Sequence, residues 1–94
     1  MYVVLLKYVK PIEDVDRVVA PHRAYLDTLI ESGVLLASGP QIPRTGGVFL
    51  VKGIDRTELS DILAKDPFAR EGIAEYSVVE FDPIKRNPAL SGIL

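Results

Sequence analysis

The opening stretch YVVLLKYV, residues 2–9, is apolar on both of its alternating sides. Successive side chains of a strand point to opposite faces, so Tyr2, Val4, Leu6 and Tyr8 line one side and Val3, Leu5, Lys7 and Val9 the other. The run VFLVK, residues 48–52, repeats the pattern, with Val48 and Leu50 set against Phe49 and Val51. A sheet with one solvated face shows apolar–polar alternation instead. Any fold for this chain must therefore cover both faces of its sheet, because an uncovered apolar face is a large adhesive patch.

The rest of the sequence sets what is available to do so. Residues 13–32 are helical in pattern. Pro21 predicts a break there, with a short turn of helix over 13–19 and a main helix from Pro21 to Ser32 that Gly33 ends. VLLAS (34–38) reads as a second strand and GPQIPRTGG (39–47) as a loop before the third strand. Asp55, with Glu58 three residues on, has capping-box spacing for a second helix to about Lys65, which stops because Asp66 precedes Pro67. AEYSVVEF (74–81) is the fourth strand, and a proline-punctuated tail follows. Its end, Leu90, Ile93 and Leu94, predicts that residues 83–94 dock on a partner subunit.

The order β-α-β-β-α-β defines an α+β, ferredoxin-like domain over residues 1–94. We assign a four-stranded antiparallel sheet in spatial order 4-1-3-2, with both helices on one face. Two helices on one face leave the other bare. A second copy packing sheet to sheet is the simplest cover, so a homodimer is predicted from alternation alone. Which apolar face meets the helices is not decided by the pattern.

Composition removes several function classes. A net charge of −2 and a pI near 5.3 speak against nucleic acid as a partner. No apolar run reaches the roughly 20 residues that span a bilayer, so no membrane partner is expected. With no cysteine and one histidine, the chain offers no thiolate nucleophile, no disulfide and no metal site built on Cys or several His. We therefore expect no metal and no cofactor, and a cytoplasmic setting suits the cysteine-free chain. The glycines of SGPQIPRTGG match neither a phosphate loop nor a dinucleotide fingerprint.

The single histidine, His22, lies on the stripe His22, Leu26, Leu29, Ile30, Gly33 of the first main helix, which faces the sheet. In the second helix the stripe Leu59, Ile62, Leu63 continues to Asp66. With alternating up and down elements, both side chains reach the same end of the sheet. Tyr8, the turn Ser38, Gly39 and Pro40, the loop with Arg44, and Tyr76 arrive at that end too. These make a small polar pocket with an apolar floor. Each residue alone has an ordinary reading: a satisfied core histidine, a helix stop, a turn, a solvated arginine. Inward titratable groups meeting at one place are what favour a site.

These residues resemble the YciI-like (YCII-related) family. The likeness rests on His22-x-x-Tyr25-Leu26, on Gly33-x-Leu35-x-x-Ser38-Gly39-Pro40, on Asp66-Pro67-Phe68 and on AEYSVVEFDP at 74–83. It covers roughly residues 2–83. The resemblance implies a ferredoxin-like domain that dimerises through its sheet into an α/β barrel. It also implies an active-site histidine–aspartate dyad, which maps onto His22 and Asp66. Related proteins include dehydrochlorinases of chlorinated hydroxyquinols; muconolactone isomerases and small monooxygenases share the dimeric-barrel fold.

The function expected from residues and resemblance together is a cofactor-free lyase or isomerase for a small oxygenated molecule. His22 and Asp66 are the catalytic pair, and Tyr8, Ser38, Gly39, Pro40, Arg44 and Tyr76 hold the substrate. The alternative is a ligand-binding or accessory protein without turnover, in which the His–Asp pair is structural.

Overall fold

The computed structural model describes residues 1–94. Its elements are β1 (Tyr2–Tyr8), α1 (Ile12–Glu31), β2 (Leu35–Pro40), β3 (Gly46–Val51), α2 (Arg56–Ala64), α3 (Pro67–Arg70) and β4 (Ala74–Glu80). The sheet order is β2-β3-β1-β4 with antiparallel neighbours, which is the ferredoxin-like arrangement expected.

Register decides which side of the sheet meets the helices. Tyr2, Val4 and Leu6 of β1 are buried with Phe49 and Val51 of β3 and with Val15, Val18 and Leu26 of α1. Each large apolar side chain sunk in this way is worth about 1.5–3 kcal/mol. The odd-numbered residues of β1 face away. Val3 pairs with Leu50 and Val79, and Leu5 pairs with Val48. On this outer face Leu5 is 39% exposed, Val79 53% and Phe81 43%.

The helix predicted to break at Pro21 does not break. α1 runs unbroken through Pro21 for 20 residues. Proline costs about 3 kcal/mol inside a helix and removes the bond to the carbonyl four residues back. Here tertiary packing outweighs that cost. Val15 and Val18 on one side of Pro21, and His22 and Leu26 on the other, all sink into one core, while Pro21 itself is exposed. The true stripe is thus 15, 18, 22, 26. Ile30, assigned to it from the sequence, is 49% exposed. The C-terminus of α1 closes as expected: Gly33, at φ +81°, donates to Ile30, and Val34 donates to Leu29.

Two further differences bear on the site. The second strand extends to Pro40, so Gly39 and Pro40, expected in a loop, are paired with β3 along with Ser38. Beyond α2, which Asp55 caps by accepting from the Glu58 amide at 2.8 Å, a separate one-turn helix, α3, begins at Pro67 with Asp66 as its cap. In the tail, Pro88–Leu90 form a 3₁₀ turn capped by Asn87, and the Lys52 ammonium donates to the Ile93 carbonyl.

Candidate active site

The site is assembled where α1 crosses the start of α3. Asp66 is fully buried, and its carboxylate collects three hydrogen bonds. The Phe68 amide donates to Oδ1 at 3.0 Å, which is the cap of α3. The Tyr76 hydroxyl donates to Oδ2 at 2.6 Å. His22 Nδ1 lies 2.6 Å from Oδ1. Burial first, and then the hydrogen bond and charge of Asp66, push the Tyr76 phenol far above its ordinary range, so it stays protonated and donates. A carboxylate only accepts, so Nδ1 of His22 is the donor in this pair. In the neutral ring that fixes the proton on Nδ1 and leaves the lone pair on Nε2.

The imidazole plane is fixed as well as its tautomer. Phe68 stacks on it with ring centroids 3.8 Å apart and planes 7° from parallel. Phe49 lies beyond at 6.1 Å, and Tyr8 meets Phe68 edge-on at 6.0 Å. Asp66-Pro67-Phe68 thus holds the histidine twice, by the carboxylate and by the ring two residues on. Tyr25, one helical turn after His22, donates to the Ile62 carbonyl at 2.7 Å and ties α1 to α2. Burial, followed by the charge of Asp66, also raises its phenol.

His22 opens onto a cavity of about 230 Å³. Nε2 has no protein hydrogen-bond partner, and no buried side-chain nitrogen or oxygen is left without one, so this atom is accessible. Tyr8, Ser38, Gly39, Pro40 and Arg44 are on the cavity wall with His22. Asp66 and Tyr76 are not on the wall; they stand behind the histidine, hydrogen-bonded to each other. The wall also includes Arg23, Phe49 and Phe68, which reading the sequence did not select. Phe68 carried a signal in the Asp-Pro-Phe run. Phe49 could not be chosen while both sides of its strand were apolar. Arg23 sits one residue off the sheet-facing stripe and reaches the rim from the side. No group of three or more His, Asp or Glu side chains comes together that could hold a metal ion.

The YCII-related domain model matches residues 1–82. The chain belongs to the YCII-related family. No curated protein matches it. Among solved structures, it is similar to the 5-chloro-2-hydroxyhydroquinone dehydrochlorinase TftG of Burkholderia phenoliruptrix in complex with 2,5-dihydroxybenzoquinone. The two share 19% identity over 87% of this chain and 94% of the other, with a TM-score of 0.72. At that identity the likeness speaks for the fold, and it agrees with the topology described above. No helix of this YCII-related protein is long and apolar enough to cross a membrane.

Proposed function

We propose that this protein is a lyase or isomerase that moves a proton on a small oxygenated ring, with His22 as general base and acid. The observation that carries this reading is the buried Asp66 carboxylate, which accepts from the Phe68 amide and the Tyr76 hydroxyl and lies 2.6 Å from His22 Nδ1; a carboxylate so held calls for a donor at Nδ1 and leaves an accepting Nε2 on the cavity side. Nε2 takes a proton from a substrate C–H or O–H. The electron pair left behind either expels a leaving group from the neighbouring carbon, as in a dehydrochlorination, or is reprotonated at another carbon by the imidazolium. Asp66 stabilises that imidazolium. Tyr8, Ser38, the backbone of Gly39 and Pro40, and Arg44 receive the substrate oxygens. Tyr76, expected at the substrate, orients Asp66 instead in this mechanism. The similar fold of a dehydrochlorinase solved with a dihydroxybenzoquinone supports the substrate size, and a reducing cytoplasm suits the chain.

The rival reading keeps Asp66 as the cap of α3 and the pair as structural. A screen of hydroxylated and chlorinated six-membered rings in deuterium oxide separates the two. The expected result is protein-dependent elimination or deuterium uptake that falls by 10²-fold or more in His22→Asn, in keeping with the usual range of about 10²–10⁴ for general acid–base catalysis. Ligands that bind wild type and variant equally, with turnover in neither, would favour the rival.

We also propose that the working form is a homodimer joined through the outer sheet face, with the tail of residues 83–94 against the partner. Val3, Leu5, Val48, Leu50 and Val79 form a continuous apolar surface that the helices leave bare. Leu5→Asp would place two unpaired charges in a two-fold interface, a cost of several kcal/mol. Light scattering should give twice the 10.3 kDa chain mass for the wild type and a monomer or aggregate for the variant. A monomeric wild type at micromolar concentration would reject this assembly.

A further inference from the structure

The cavity wall carries charge of one sign. Its ionised side chains are Arg23 and Arg44, and no aspartate or glutamate lines it. Arg23 is exposed and has no carboxylate within ion-pair distance. Arg44 is paired with Asp16 at 2.8 Å, but both side chains are in water, 41% and 59% exposed. Such a surface pair contributes little and exchanges readily for another anion. The other carboxylate near the cavity, Asp66, is sealed behind His22 with all its hydrogen bonds made. Two guanidiniums at the mouth of a small cleft with low-dielectric walls concentrate anions there. Their planar forks match carboxylate and enolate oxygens.

Size narrows the choice. A dry cavity of about 150 Å³ accommodates benzene, so about 230 Å³ holds one six-membered ring with two or three small substituents. Phe49, Phe68 and the His22 ring supply flat surface for it.

We propose that the site selects a monocyclic substrate that already carries a negative charge, as a carboxylate, phenolate or enolate, with Arg23 and Arg44 as its specificity-determining residues. This rests on the cavity being the substrate site. One guanidinium meets the standing charge. The other meets the charge that grows on oxygen when Nε2 removes a proton, which a fixed cation stabilises most in the transition state.

Benzoate and benzamide share ring and size and differ in charge. Binding of each is followed by the NMR signals of the His22 ring, the only imidazole in the chain. Benzoate is expected to bind the wild type at least about tenfold more tightly than benzamide, and added salt should weaken benzoate alone. Arg23→Gln and Arg44→Gln should each weaken benzoate, and the double variant should erase the preference. Both residues are exposed, so the variants keep the fold. Equal binding of the two probes, a preference that survives the double variant, or no shift of the His22 signals by benzoate would overturn the proposal. Asp66→Asn should keep the benzoate preference while losing turnover. An anion preference without His22-dependent turnover would therefore sink the acid–base reading alone, and turnover on neutral rings would sink only the anion selectivity.

Discussion

Asp66→Ala should lose about 3–5 kcal/mol of stability, the usual cost of removing one partner of a buried, hydrogen-bonded pair. The change strands three donors at once: the Phe68 amide, the Tyr76 hydroxyl and His22 Nδ1. It also uncaps α3, which carries the ring stacked on His22. At roughly 4–8 °C per kcal/mol for a domain of this size, Tm should fall by more than about 12 °C. Asp66→Ala therefore tests the fold and the chemistry together. His22→Asn separates them. An asparagine amide can still donate to Asp66 from near the Nδ1 position, while the accepting Nε2 is gone. Its stability loss should stay below about 2 kcal/mol, mostly from the lost stack on Phe68. Denaturant unfolding of both variants checks the ordering. A His22→Asn protein as unstable as Asp66→Ala would show that the imidazole is chiefly a structural part.

Gly46→Ala should be the most damaging single methyl in the chain. Gly46 pairs with Lys7 where β3 begins its pairing with β1, and it is buried there. A Cβ there would overlap the Leu6 carbonyl oxygen and come within 2.8 Å of its carbon. Both are backbone atoms of a central strand, so no rotamer change relieves the overlap. Ordinary overpacking costs about 1–3 kcal/mol. Forcing β1 and β3 apart should cost more than about 3 kcal/mol and shift the cavity wall at Gly47 and Tyr8. Gly39→Ala is the control, since nothing lies within 4 Å of a Cβ added there. It should leave Tm within a few degrees of wild type. Equal Tm values for the two variants would contradict the close approach of the strands.

The sequence was most informative where a period met a topology. The helical stripes and the alternating direction of the elements bring His22 and Asp66 to one end of the sheet, and the structure puts them in contact. The inward direction of Asp66 has a second cause that the α2 stripe does not contain. It caps α3, a four-residue helix too short to leave a periodic signal. Pro21 misleads in the opposite way. Its local cost is real, but the burial of four residues flanking it stabilises the continuous helix by more, and no local rule contains that burial. The outer face could not be chosen while both sides of β1 were apolar, because alternation reports burial and not what does the burying. Arg23 escapes notice for a similar reason: a rim residue serves a cavity without belonging to any buried stripe.

The acid–base chemistry depends on one atom, Nε2 of His22, held as a proton acceptor by the donors that surround Asp66. With a single histidine in the chain, nitrogen-15 NMR of the imidazole is free of assignment ambiguity. In the neutral ring the two nitrogens give distinct signals for the protonated and the lone-pair positions. The structure predicts the proton on Nδ1 and the lone pair on Nε2, with this preference weakened in Asp66→Asn. A neutral ring protonated on Nε2, or a tautomer indifferent to Asp66→Asn, would contradict the dyad and with it the acid–base chemistry proposed for this site.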